Sequence, residues 1–383
     1  MRARAPVLTA TPTPTATPTP TATPTPTSTN LDPDPDPNSE TSRRPGGEAF
    51  APPLGRPGIP PPRDTTNRDP ATYRISMRIG VVGAGGVGGL VAGLLARSGH
   101  PVALVARGAT LDAIQSHGLR IDSPLGVFDA RIEVGAVDEL APVDALLVAV
   151  KTWQVPAVAA TLAPMLAPRA IVVPVQNGVD APDQCADTLG ADRVFGGICH
   201  VLSWIAGPGS IKHVGDPPLL TLGAWRTPAD ERLEALRVAL EGAGLRARVA
   251  RDFPAALWDK FLFIATFGGV GAVARAGAGQ LRSIPETRRL LVGAFEEVRD
   301  VAAAKGISLR PDAVARALGL IDILPEDAIA SLQRDVVAGR PSEIDSLSGA
   351  VARIGSEVGV PVPIHSTIYA ALLPLERAAR ARG

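Results

Sequence analysis

The chain has 383 residues, with 38 basic and 38 acidic side chains, 45% hydrophobic residues and two cysteines. The balanced charge leaves no electrostatic footprint for nucleic acid, and no uninterrupted apolar run reaches the ~20 residues of a membrane helix. Cys185 and Cys199 are too few for a disulfide framework or a Cys-rich metal site, so composition points to a cytoplasmic globular protein without a metal.

Residues 1–76 hold 18 of the 38 prolines. Thr and Pro alternate over 11–27, an Asp-Pro repeat covers 32–37, and Arg, Gly and Pro mixtures run to Pro70. Such a segment has too little apolar surface to offset the entropy of ordering, and it is expected to be a disordered extension. It lacks the apolar stretch of a secretory signal. It reads either as a natural tail or mucin-like stalk, or as an over-extended translation start with Met77 as the initiator. The strand pattern that begins at Met77 without a linker favours the second.

From residue 77 strands and helices alternate, which predicts a parallel sheet covered on both faces. Strand patterns occupy 77–83 and 101–106 around a small-residue helix at 86–98. Residues 119–122 and 127–134 flank a hairpin turn at 123–126. The apolar runs 144–150 and 170–175 suit central strands; 194–205, 210–214 and 219–222 predict an antiparallel extension, followed by a helix over 229–241. Beyond about Arg251 the apolar spacing is helical, over 258–267, 285–305, 311–318, 326–338 and 342–357. The expected architecture is a Rossmann-type α/β domain over 77–250, followed by an all-α domain over 251–383.

Gly83-Ala84-Gly85-Gly86-Val87-Gly88 follows the first strand and opens the first helix. In a G-x-G-x-x-G of this kind the first glycine allows the tight turn. The second admits the pyrophosphate to the backbone, and the third lets helix and strand pack closely, with the helix N-terminus facing the phosphates. Gly83, Gly85, Gly86, Val87 and Gly88 are therefore candidate cofactor contacts. The second strand ends Val105-Ala106-Arg107-Gly108, without the carboxylate that binds a ribose 2′-hydroxyl. Arg107 could instead meet a 2′-phosphate, which favours NADP over NAD.

Only four of the basic residues are lysines: Lys151, Lys212, Lys260 and Lys305. A lysine amine can be tuned towards the working pH and act as an acid, whereas a guanidinium stays protonated. Positions that keep lysine in so Arg-rich a chain are candidates for that role.

From 77 to about 375 the chain resembles the ketopantoate reductase family. The motifs are Gly83–Gly88, Val150-Lys151-Thr152-Trp153-Gln154, Val175-Gln176-Asn177-Gly178-Val179, Leu257-Trp258-Asp259-Lys260-Phe261, Ser331-Leu332-Gln333-Arg334-Asp335 and Ser342-Glu343-Ile344-Asp345. The resemblance implies a Rossmann domain, a helical C-terminal domain, and NADPH-dependent reduction of a small 2-oxo acid, ketopantoate in the first instance, for pantothenate and coenzyme A synthesis. It implies Lys260 as the general acid and Glu343 as the group that positions the substrate. Lys151 and Asn177 would contact cofactor and substrate, and Ser331 the substrate, in a monomer or homodimer. Plain structural roles stand beside these: a snorkelling lysine at 260, a helix N-terminal carboxylate at 343, an Asn-Gly turn at 177, a solvated serine within a helix at 331. His200 and His213 lack metal-site companions. The chain departs from the family where asparagines continue the lysine helix; Ile264 and Gly268 stand there. This change leaves cofactor and reaction type in place and opens the identity of the substrate, a paralogue's 2-oxo acid or a non-catalytic NADPH-binding regulator being the alternatives.

Overall fold

A computed structural model describes residues 77–382. The expectations for residues 1–76 lie outside the described residues. In chain order the first part comprises β1 (Ile79–Val82), α1 (Gly86–Arg97), β2 (Val102–Val105), α2 (Gly108–His117), β3 (Leu119–Ser123), β4 (Gly126–Ala130), β5 (Glu133–Gly135) and β6 (Val143–Val148). It continues with α3 (Val155–Ala159), β7 (Leu166–Pro174), α4 (Ala181–Leu189), β8 (Gly196–Gly207), β9 (Ser210–Gly223), α5 (Glu231–Gly242) and β10 (Arg246–Val249). Helices then follow one another: α6 (Phe253–Ala274), α7 (Ala278–Ser283), α8 (Pro285–Ala304), α9 (Ala313–Ile323), α10 (Ser331–Val337), α11 (Ser348–Val358) and α12 (Pro363–Arg380). The protein is thus a Rossmann-type α/β unit followed by an all-helical part.

The first sheet is parallel throughout, in the order β5-β2-β1-β6-β7. Its central strands are continuous apolar runs because both faces are covered. The second sheet, β10-β9-β3-β4 with β8 on β9, is mixed. It packs on α1, whose small residues permit the approach: a Cβ added at Gly89 would lie 2.8 Å from Ile211, and one at Gly93 2.7 Å from Ile121.

Several elements differ from the sequence reading, each for a physical reason. The segment 127–134 is not one strand; β4 pairs with β3 while β5 joins β2 in the other sheet. The segments 210–214 and 219–222 are one strand. The register jumps from His200↔Leu219 to Leu202↔Val214, so residues 215–218 bulge opposite Val201. Pro217 and Pro218, which have no N–H for a ladder, sit in that bulge. The helix expected at 258–267 runs from Phe253 to Ala274. Asp252 caps it by accepting from Ala255 N at 3.0 Å, and Pro254 is tolerated in the first turn. Its glycines are contact points and not breakers: a Cβ at Gly269 would lie 2.8 Å from Ser348 Oγ and one at Gly271 2.5 Å from Gln333 Oε1. By length and mean hydropathy (1.3) α6 passes for a membrane span, but 67% of that window is buried within the protein, as befits a core helix.

Two expected helices are shorter. Ser331 is the first residue of α10, not a mid-helix residue of 326–338. The segment 342–357 starts as a turn, with a 3₁₀ stretch over Ile344–Ser346 before α11. Its polar side chains take partners elsewhere in preference to a helical ladder.

One contact seats the helical part against the second sheet. Gly196 and Gly223 are directly paired on β8 and β9, and Phe253, the first residue of α6, fills the space their missing side chains leave. A Cβ at Gly196 would lie 1.9 Å from Phe253 Cε1, and one at Gly223 2.4 Å from Phe253 Cβ. Overpacking of this kind costs roughly 1–3 kcal/mol. Gly196→Ala should therefore lower the unfolding midpoint in a thermal melt, and Phe253→Leu in the same chain should recover part of the loss. Additive losses in the double variant would show that the two residues are not coupled in this way.

Candidate active site

The glycine loop has the conformation a dinucleotide needs. Gly83 lies at φ +106°, in the region that favours glycine. A Cβ on Gly88 would stand 2.1 Å from the Gly83 carbonyl oxygen, so strand and helix cross too closely for any side chain. Gly85 is the extended residue before α1; no side chain caps the helix start there, and a Cβ would meet nothing within 4 Å. The first amides of α1, from Gly86 and Val87, are thus left for an anion. Gly86 has a second reason to be glycine, because β8 passes over it and a Cβ would lie 2.7 Å from the Ser203 carbonyl oxygen. Arg107 follows β2 at the start of α2, with an exposed guanidinium that forms no hydrogen bond or ion pair among the described residues.

Lys260 sits in the second turn of α6. It is partly buried and its Nζ donates to the carbonyl oxygen of Cys199, on β8, at 2.8 Å. Burial pushes its amine below the ordinary lysine value of 10.5; the neighbouring Cys199 thiol and Glu343 carboxylate pull the other way without cancelling it. The resulting group can hold or release a proton nearer neutral pH than a surface lysine.

Glu343 faces the same region from the turn before α11, 8% exposed. Its Oε2 accepts from Asn177 Nδ2 at 3.0 Å, and its Oε1 from the Thr152 backbone N–H at 3.4 Å. The turn is held from behind by α12. Glu376 Oε2 accepts from Ser342 N at 2.8 Å and from Ser342 Oγ at 2.5 Å. Asp345 accepts from Tyr369 Oη at 2.9 Å and from Arg380 at 2.8 Å. Glu343 is therefore presented by two flanking anchors, and Arg380 also lies over the Trp153 ring at 4.9 Å.

Asn177 follows β7 in a turn that Gln176 fixes, with Gln176 Nε2 donating to Val148 O at 2.8 Å and to Val150 O at 3.0 Å. Gly178 lies at φ +94°, and a Cβ there would stand 2.7 Å from the Ser346 carbonyl oxygen. Glycine at 178 is required by this close approach of the loop to the Glu343 turn.

The structure thus joins Asn177 to Glu343 by a hydrogen bond and places Lys260 within electrostatic reach of the Glu343 carboxylate. Lys151 and Ser331 form no hydrogen bond with these groups among the described residues. Lys151 Nζ is half exposed, 3.5 Å from Asp335 of α10 and 5.9 Å from the Trp153 ring centroid. Ser331 is exposed at the start of α10. Three groups that sequence reasoning did not single out belong to the site: the Cys199 carbonyl, the Thr152 amide and the Gln176 side chain. Thr152 and Gln176 stand inside quoted motifs, whereas a backbone carbonyl leaves no mark in a sequence. Thr152 Oγ1 and Gln176 Oε1 are buried without a hydrogen-bond partner, so the site offers polar atoms beyond those already paired. Among the described residues no group of three or more His, Cys, Asp or Glu side chains could hold a metal ion.

Comparison with known proteins gives one consistent family. Residues 79–227 match the family described as Ketopantoate reductase PanE/ApbA, and 252–376 match its C-terminal counterpart. A 2-dehydropantoate 2-reductase of Mesorhizobium japonicum is 29% identical over 330 residues, covering 80% of this chain and 99% of that protein. An uncharacterized oxidoreductase, YkpB, of Bacillus subtilis is 25% identical over 296 residues, covering 77% and 98%. The crystal structure of a PanE/ApbA family ketopantoate reductase from Ralstonia eutropha superposes with a TM-score of 0.74 at 27% identity, covering 79% of this chain and all of that one. With the two family matches spanning most of the chain, in the order of its two structural parts, the protein is an oxidoreductase that belongs to the ketopantoate reductase family.

Proposed function

We propose that the protein is a cytoplasmic NADPH-dependent reductase of a small 2-oxo acid. Ketopantoate, whose reduction gives pantoate for pantothenate and coenzyme A synthesis, is the reference substrate. The observation that carries this reading is a desolvated lysine, Lys260, held on the Cys199 carbonyl within electrostatic reach of Glu343, the carboxylate that Asn177 bonds. The glycine loop and the uncapped N-terminus of α1 would hold the dinucleotide, and Arg107 would pair with its 2′-phosphate. When bound, the reduced nicotinamide supplies a hydride for the substrate's carbonyl carbon. Lys260 gives a proton to the carbonyl oxygen as that carbon is reduced, leaving the 2-hydroxy acid. Glu343 and Asn177 orient the substrate, and Lys151 and Ser331 approach cofactor or substrate from the rim. A second reading, a paralogous reductase of another 2-oxo acid, is favoured by the apolar Ile264 one turn beyond Lys260.

With NADPH and ketopantoate as probes, Lys260→Ala should lower kcat/KM by about 10²–10⁴-fold while NADPH affinity, read by fluorescence titration, stays unchanged. Lys260→Arg should not restore activity, because its guanidinium does not give up its proton. Full activity in either variant would remove Lys260 from the acid role.

The sign of the pH dependence follows from the same group. The acid must be protonated, so kcat/KM falls as pH rises through the Lys260 pKa, which burial sets below 10.5. The alkaline limb of the wild-type profile should begin below that value and be missing from the residual activity of Lys260→Ala; a limb at or above 10.5 would contradict it.

Arg107→Ala should weaken NADPH binding about tenfold, the size of a charge-assisted hydrogen bond, and leave NADH binding unchanged. Equal effects on both would show that Arg107 does not read the 2′-phosphate.

A further inference from the structure

The wall that carries Lys260 continues along α6. Ile264 lies one turn on and Gly268 two turns on, so the three share one face of the helix. At Gly268 that face is closed: an added Cβ would lie 3.3 Å from Leu332 Cβ and Cδ2, and 3.6 Å from Ala330 Cβ. The start of α10 therefore rests directly on the helix backbone. Ile264, before that contact, remains partly exposed while Gly268 is buried. By helical spacing Ile264 comes between Lys260 and Gly268, the residue on which Ala330 and Leu332 rest.

Polar groups are distributed unequally around this space. Asn177, Glu343 and the Thr152 amide lie on the side joined to the α/β part. On the α10 side Gln333 Nε2 donates to Ala276 O at 3.1 Å, and its Oε1, buried without a hydrogen-bond partner, lies against Gly271, three residues beyond Gly268. Ser331 is exposed at the rim. Between Lys260 and Gly268 this face is therefore lined by the hydrocarbon of Ile264, Ala330 and Leu332.

Building on the reductase reading above, we propose that the preferred substrate is a 2-oxo acid whose branch beyond the carbonyl is wholly apolar, and that Ile264 is its specificity-determining contact. The carboxylate and ketone face the polar side, and the branch lies against Ile264, Ala330 and Leu332. A hydroxyl on that branch would leave water without gaining a donor or acceptor, whereas a methyl in its place gains from burial. The difference corresponds to a preference of about tenfold or more in kcat/KM.

The test uses the full chain with NADPH and two probes of the same skeleton, ketopantoate and 2-oxo-3,3-dimethylbutanoate, which carries a methyl where ketopantoate has its hydroxymethyl. The wild type should reduce the methyl compound with kcat/KM about tenfold or more above that for ketopantoate. Ile264→Asn should erase or reverse the ratio, and Ile264→Val should keep it. Equal rates, or a preference for ketopantoate in the wild type, would overturn the substrate class while leaving the reductase reading intact. Turnover of neither probe by a chain that still binds NADPH would overturn both. The wild-type ratio alone decides the matter should Ile264→Asn fail to fold.

Discussion

The site depends on where α6 begins. Phe253 occupies the gap left by the paired glycines Gly196 and Gly223, so the helix starts against β8 and β9 before running into the helical core. Two turns later Lys260 meets the carbonyl of Cys199, three residues along β8 from Gly196. A glycine pair with an aromatic ring in its gap thus fixes the distance between the lysine and the sheet. It also explains the lysine's chemistry. The helix is apolar on nearly all sides because it is the core of the second part, and an amine carried by such a helix loses hydration on folding. Desolvation therefore outweighs the opposing influence of Glu343 and Cys199.

Glu343 meets the opposite requirement. A carboxylate that must face both Asn177 and the Thr152 amide gains from a mount that does not itself turn, and an irregular turn is a poor mount unless its neighbours are tied down. Ser342 and Asp345 are those neighbours. Glu376 takes both donors of Ser342, while Tyr369 and Arg380 take Asp345. All three anchoring residues lie on α12, so the last helix, remote in sequence, holds the turn. Arg380 joins this anchoring to the α/β part through the Trp153 ring. The Glu376–Ser342 contact is buried, where water does not compete, and is worth more than the half-exposed pair of Asp345 with Arg380.

What the sequence made legible follows from which forces are local. The alternation of strand and helix, the glycine loop and the change to helices after β10 are written in periodicity and turn chemistry. The segments that carry Lys260, Asn177 and Glu343 are legible as motifs. What was not legible depends on contacts distant along the chain. The C-terminal end of α6 is not legible because Gly268, Gly269 and Gly271 read as breakers until α10, α11 and α12 are seen to lie against them. Residues 342–347 show helical spacing, yet their side chains are committed to α12. Assignment of β4 and β5 to different sheets is a matter of topology that a short alternating run does not carry. The Cys199 carbonyl is invisible in sequence by its nature.

The scarcity of lysine acquires meaning only once the four are placed. Lys305 is exposed at the end of α8, and Lys212 pairs with Asp122 at 2.7 Å as any surface cation might pair. Neither position needs an amine. Lys151 faces Asp335 at the rim, where a compact charge suffices. Lys260 alone combines partial burial with a backbone carbonyl as its hydrogen-bond partner. A guanidinium there would bring five donors in a rigid fork to a place with one carbonyl and one nearby carboxylate, and would keep its charge in a desolvated setting. An amine needs fewer partners and can become neutral. Composition alone could not separate these four residues; desolvation and the count of available acceptors do, and both single out Lys260 as the position where a proton can most readily leave.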